Sequence, residues 1–185
     1  MELFDAIHTR HSIGKVKPDP IPRDVIEKLL AAGAQAPNHY KVRPWRFLVM
    51  TGGGRAKLGD ALASMLKSKQ PDLPADVLEK EKLKAHRAPL IIAVAVDQPV
   101  ESKVIEIENV AAASAACQNI LLAAHALGLG AIWRTGDAAR DPQVKQALGF
   151  DPHQHLIGFL YIGYPEAEAA QVDRPGFEDH TVWAE

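Results

Sequence analysis

The stretch VAAASAACQNILLAAHALGLGAIWRTG, residues 110–136, decides how the rest of the chain is read. Residues 110–129 are mostly apolar and approach the ~20 residues that cross a bilayer. Gln118, Asn119 and His125 interrupt the run, and much of it is alanine where a lipid-facing helix would carry leucine. The composition predicts a helix packed inside a protein. The helix is expected over residues 102–127 and is stopped by Gly128 and Gly130, because glycine enters the left-handed backbone that ends helices. A short strand is expected next, over residues 131–134.

Working outward, Trp45–Thr51 and Leu90–Val96 are apolar runs that read as buried strands, and residues 156–162 give another. Helices are expected over residues 2–9, from Pro22 to the Ala36-Pro37 step, over 55–69, over 76–86, and from Asp141-Pro142 to Gly149. Pro22 fits a first helical position, and Asp141-Pro142 fits a cap followed by one. Two or more helices separate most of the strands, so the chain does not alternate strand and helix regularly. The pattern predicts an α+β fold of about four strands with helices around one sheet, as a single domain over residues 1–185.

Bulk properties narrow the function. The chain has 185 residues, 21 basic and 23 acidic, for a formal charge of -2. Such balance leaves no electrostatic footprint for nucleic acid or an anionic membrane. The single cysteine, Cys117, forbids an intramolecular disulfide and reads as a small buried side chain. With no export-type apolar block near Met1, a cytoplasmic location is expected.

Four segments could carry chemistry. Arg10-His11-Ser12 offers a guanidinium fork and a hydroxyl suited to phosphate or carbonyl oxygens. Equally, Arg10 and His11 could complement the negative end of the preceding helix. The loop from Gln35 to Trp45 is dense in hydrogen-bonding side chains. It either sets Asn38 and His39 over a site or uses them to satisfy backbone. In the segment from Gly128 to Gly136, glycines admit a flat ligand close to the backbone, or simply end a helix before a core strand. Residues 156–165 close with Ile162-Gly-Tyr-Pro165. Elsewhere, Gly52-Gly-Gly-Arg-Ala-Lys-Leu-Gly59 lacks the third glycine of a dinucleotide fingerprint, since Lys57 stands there. His153 and His155 have no third metal ligand nearby in sequence, so no metal site is expected.

Arg10-His11-Ser12, the Ala36-Pro37-Asn38-His39 loop before Pro44-Trp45, the long helix with Gly128-Leu-Gly, Ile132-Trp133-Arg134-Thr135-Gly136 and the late Gly163-Tyr-Pro together resemble the nitroreductase family, in its short branch. The resemblance implies a central mixed or antiparallel sheet of about four to five strands. It also implies a homodimer with the long helix at its interface and FMN bound between subunits. Arg10, His11, Ser12, Gln35, His39, Trp133, Arg134 and Thr135 would contact FMN, with Gln35 and His39 reaching across from the other subunit. Ala124, His125, Ala126, Leu127 and Gly128 would contact the nicotinamide donor, NADH or NADPH. The implied reaction is ping-pong two-electron reduction of nitro compounds, quinones or similar small electrophiles. The flavin carries the chemistry, so no catalytic residue is assigned. Arg10 is the candidate for stabilising negative charge at the flavin's pyrimidine edge, with Ser12 and His39 as hydrogen-bonding partners. His11 replaces a commoner arginine, Gln35 stands where the branch can have arginine, and Arg43 replaces a usual glutamine. Arg174 is a further phosphate candidate whose spacing does not fix it. The alternative reading is a flavin-binding or flavin-processing protein that is not a general reductase.

Overall fold

The computed structural model describes residues 1–99, 103–167 and 173–184. In chain order its elements are α1 (Leu3–Thr9), α2 (Arg23–Gly33), β1 (Trp45–Thr51), α3 (Ala56–Lys69), α4 (Ala75–Lys82), β2 (Leu90–Val96), α5 (Glu106–Ala126), β3 (Gly130–Arg134), α6 (Asp137–Arg140), α7 (Pro142–Leu148) and β4 (His155–Gly163). The strands form one sheet in the order β1-β2-β4-β3, with every pairing antiparallel. The sheet is therefore antiparallel rather than mixed, and has four strands among the described residues.

Side chains alternate across the sheet, so each face has its own core. On one face Ile92, Val94, Val96, Leu160 and Ile162 pack against α5 and α2. On the other, Ile91, Ala93, Phe159 and Tyr161 pack against α3 and α7. β2 is buried at every position, which is why its sequence is an unbroken apolar run. β1 is an edge strand and only partly buried, with Arg46 exposed.

Helix ends follow their local chemistry. The Asp141 carboxylate accepts from the amides of Gln143 (2.9 Å) and Val144 (3.1 Å), Pro142 opens α7, and Gly149 closes it at φ 90°. Gly128 turns the chain after α5 at φ 76°. Pro22 sits just before the first residue of α2, as its cap. Three boundaries differ from the sequence reading. Ser102, where the long helix was expected to begin, lies outside the described residues, and α5 starts at Glu106. The expected helix over 76–86 divides into α4 and a 3-10 turn at Leu83–His86. Gly52–Arg55 makes a 3-10 turn that leads into α3, and α6 is an additional short helix that the sequence pattern did not announce.

β4 carries a bulge. The register with β2 shifts between Val94 and Ala95, and Gly158 there has φ 147°. The Trp133 indole lies over this glycine and donates to the Ile157 carbonyl at 3.1 Å. A β-carbon at Gly158 would stand 2.5 Å from the Arg134 carbonyl and 2.6 Å from Trp133 Nε1.

Candidate functional site

Residues 10–16 leave α1 and run as a strap along the open edge of β3. The Ile13 amide donates to the Ala131 carbonyl at 2.9 Å, Val16 bridges Pro165, and the Lys17 amide donates to the Tyr164 carbonyl at 2.7 Å. Two glycines let the strap lie this close. A β-carbon on Gly130 would be 2.8 Å from Ile13 Cγ2, and one on Gly163 would be 2.7 Å from Val16. Gly130 has no positive φ, so it acts by close approach rather than by turning the chain.

The strap brings Arg10, His11 and Ser12 to the C-terminal end of α5. Thr9 Oγ1 and His125 Nε2 are 2.7 Å apart. A cavity of about 810 Å³ opens here, lined by Thr9, His11, Ile13, His125, Gly128 and Pro165 among others. From the segment 124–128, His125 and Gly128 line it, and Ala126 and Leu127 are exposed beside it. Ala124 is fully buried in the core, so its side chain is not available to a ligand there.

The charges around this cavity are predominantly positive. The Arg174 guanidinium donates to the Arg10 carbonyl, which brings the C-terminal segment onto the strap. Burial, and next the charge of Arg174, make Arg10 less basic than usual. Burial, then the charges of His11 and Arg10, likewise lower the pKa of His125. His11 Nδ1 is 2.9 Å from the Thr9 carbonyl, while its Nε2 is buried with no hydrogen-bond partner among the described residues. A buried, unpartnered ring nitrogen is costly unless a ligand supplies the missing contact.

The segment 133–135 divides, because neighbouring strand residues point to opposite faces. Trp133 packs on the α5 side, with its indole N–H committed to Ile157. Arg134 emerges on the α3 side, its guanidinium 5.4 Å over the Tyr161 ring and beneath Gly14 of the strap. Arg134 and Thr135 line a separate cavity on that side. Their side chains, and that of Trp133, therefore do not join His11 and His125. What Trp133 can offer is main chain: Ala131 turns its carbonyl outward to the strap, and the two-residue alternation turns the polar groups of Trp133 to the same open edge.

Gln35 and His39 lie elsewhere. His39 Nδ1 is 2.7 Å from Glu108 Oε2 near the start of α5, and its ring stacks on Tyr40. From Glu108 to His125 is 17 residues of helix, roughly 25 Å. Within one chain, then, the Gln35–His39 loop does not meet Arg10. Asn38 serves the loop itself, donating to the Ala36 carbonyl and accepting from the Arg43 amide. Tyr40, Lys41 and Arg43 all hold positive φ, near 50°, an unfavourable backbone for residues with side chains. His39 also borders a shallow cavity of about 430 Å³ with Ala111 and Ala115 of α5.

The sequence offers Arg174 without fixing its place and Gly163 only as part of a motif with no stated role, and it does not single out Thr9. Only tertiary structure brings these to the strap. Among the described residues no three His, Cys, Asp or Glu side chains could together hold a metal ion, and His155 instead meets Glu106 at 2.8 Å. No described helix is long and apolar enough to cross a membrane. Burial pushes the Cys117 thiol up to about 12, so it has no reactive thiolate.

A model of the nitroreductase family matches residues 7–164. "Putative NAD(P)H nitroreductase YfhC" of Bacillus subtilis (strain 168) is 34% identical over 173 residues, covering 93% of this chain and 88% of that protein. The crystal structure of a nitroreductase-like family protein from Bacillus cereus superposes with a TM-score of 0.84 at 25% identity, covering 100% of this chain and 97% of the other. A Desulfovibrio desulfuricans protein solved as "a putative nitroreductase in complex with fmn" superposes with a TM-score of 0.77 at 26% identity, covering 100% of this chain and 98% of the other. With the family model spanning most of its length, the chain belongs to the nitroreductase family.

Proposed function

We propose that this protein is an FMN-dependent oxidoreductase that takes electrons from NADH or NADPH and passes them to a small electrophile such as a nitro compound or quinone. The observation that carries the reading is a cavity lined by His11 and His125, with His11 Nε2 buried and unpartnered, beside the paired cations Arg10 and Arg174 of the strap and the C-terminal segment. Two guanidiniums this close repel each other unless an anion joins them, and a phosphate monoester is the natural guest. The pair Arg10 and Arg174 suits the FMN phosphate better than the flavin's pyrimidine edge, which the sequence reading gave to Arg10.

Bound FMN supplies reversible two-electron redox chemistry. The chain's residues bind and orient it. Arg10 and Ser12 donate from the strap, the open Nε2 of His11 meets a polar group of the ligand, and Arg174 adds a second fork. The outward main chain of Trp133, with Thr135 beyond it, offers hydrogen bonds along the open edge. His125, held neutral and tied to Thr9, presents polarity without fixed charge where the donor's nicotinamide would enter, beside Leu127 and Gly128. No side chain of this set is needed as a nucleophile.

A second copy of the chain completes the site. On α1, Leu3 and Phe4 are 64% and 72% exposed, and Ile107 of α5 is 68% exposed. α5 is apolar around its whole circumference, a pattern that calls for cover on every side. Two α5 helices packed antiparallel about a twofold axis would set Gln35 and His39 of the partner subunit beside the first chain's His125. The alternative, a flavin-binding protein that is not a general reductase, would use the same pocket without accepting hydride.

The decisive experiment is the visible spectrum of the purified protein, followed by NADH addition under anaerobic conditions and then menadione. The expected result is one FMN per chain, bleached by NADH and restored by the quinone, in a dimer by sedimentation. Bound flavin that NADH cannot bleach would favour the alternative, and a colourless protein that takes up no FMN would overturn the proposal. Arg10→Ala and Arg174→Ala should each weaken FMN binding by about tenfold or more, the worth of one charge-assisted hydrogen bond.

A further inference from the structure

We infer that the cavity on the α3 side of the sheet is a second ligand site, built for a small amphipathic carboxylate such as an aryl or branched-alkyl acid. It measures about 310 Å³, the low end of the range for small-molecule pockets. Its lining combines two chemistries: Leu58 and Met65 of α3 and Phe159 of β4 are apolar, while Arg87, Arg134 and Tyr161 bring polar groups.

Charge accounting identifies the ligand. Two carboxylates border the cavity, and both are already engaged. Glu81 holds Lys84 at 2.6 Å, and Asp137 holds Lys69 at 2.9 Å and Arg140 at 3.2 Å. Arg87 and Arg134 have no such partner: among the described residues neither guanidinium makes a side-chain hydrogen bond or ion pair, and Arg134 Nε is buried without an acceptor. The Tyr161 hydroxyl also lacks a hydrogen bond among the described residues, and both guanidiniums act on it electrostatically. Its burial outweighs them and keeps it protonated, hence a donor. Three donor groups thus share a small space in which both carboxylates are already paired and the Thr135 hydroxyl is the one further side-chain acceptor. A carboxylate supplies acceptors to a guanidinium fork and a phenol at once. The apolar lining asks for a hydrocarbon body on the same molecule. A phosphate dianion has no hydrocarbon body to meet Leu58, Met65 and Phe159.

This cavity is distinct from the one lined by His11 and His125, and its ligand does not depend on the flavin reading. The two are linked structurally through Arg134, whose guanidinium lies beneath Gly14 of the strap.

The test uses the purified protein as isolated, with 4-fluorobenzoate as probe, followed by fluorine NMR and calorimetry. Saturable binding of one probe per chain is expected, weakened about tenfold or more by Arg87→Gln and by Tyr161→Phe, with inorganic phosphate a poor competitor. Arg87 is exposed, and Tyr161→Phe keeps the ring in place, so at least one variant should retain the wild-type melting point. Absence of saturation, unchanged affinity in a correctly folded variant, displacement by phosphate as strong as by unlabelled benzoate, or strict competition between the probe and NADH would each overturn the assignment.

Discussion

Adding one methyl group at Gly130 tests whether the strap is the element that organises the site. The new carbon would stand 2.8 Å from Ile13 Cγ2, 3.0 Å from Ile13 Cβ and 3.3 Å from Val16 Cγ1. Carbon atoms rest at about 3.5–4.0 Å, so the strap must retreat by roughly 0.7 Å. Ile13 Cβ is rigidly attached to the backbone, so rotating the side chain cannot relieve the clash. A retreat of that size takes the 2.9 Å bond from the Ile13 amide to the Ala131 carbonyl to the limit of hydrogen bonding. Overpacking of this kind costs about 1–3 kcal/mol. The cost divides between folding and ligand capture: a strap that stays docked lowers stability, and one that lifts off weakens FMN binding. The sum of the two losses should be about 1–3 kcal/mol, equivalent to a 5- to 150-fold weaker FMN constant if all of it falls on binding. Flavin-fluorescence titration of the Gly130→Ala apoprotein gives one part, and urea unfolding of the same protein gives the other. Ile13→Ala should restore part of the loss, as a non-additive pair. Wild-type values in both measurements would refute the strap's role.

Gly158→Ala should be more damaging to the fold, because it combines φ 147° with a β-carbon 2.5 Å from a carbonyl and 2.6 Å from an indole nitrogen. A loss of about 2–5 kcal/mol is expected in urea unfolding, whereas Gly53→Ala, with open space around it, should be nearly neutral. His125 should titrate below an ordinary imidazole in the apoprotein, by NMR. Because its folded pKa is depressed, the unfolded chain binds the proton more readily. Apoprotein stability therefore rises with pH between the depressed value and the ordinary one, and is lost as pH falls through the depressed value. Adding FMN, whose phosphate opposes the cationic neighbours, should move the His125 midpoint upward, and an unmoved midpoint would separate His125 from the phosphate's field.

Much of the fold was legible because burial leaves a plain signal. β2 is covered on both faces, so its sequence is apolar without interruption, and α5 buries Ala112, Ala113, Ala116, Cys117, Ile120 and Leu121 in the alanine-rich run that marked it as a packed helix. Asp141, Pro142 and Gly149 bounded α7 because capping is local chemistry. The site was less legible, since its members meet through tertiary packing. Nothing in the sequence says that His39 sits at one end of α5 and Arg10 near the other. The division of Trp133 from Arg134 was available in principle: adjacent residues in a strand cannot share a face. Gly130 was read as a helix stop, although its observed role is to admit Ile13. Arg174 could be placed only by the contact of the C-terminal segment with Arg10.

The strap does something besides presenting Arg10 and Ser12. β3 is the last strand of the sheet, and its outer rim would be a ready template for a stray strand from another molecule. Residues 13–16 occupy part of that rim and act as a guard against it. Damage that peels the guard away therefore has two outcomes from one cause: the pocket loses its cofactor, and the bared rim invites aggregation. Variants that come out of cells pale and insoluble together would be the signature of that shared origin.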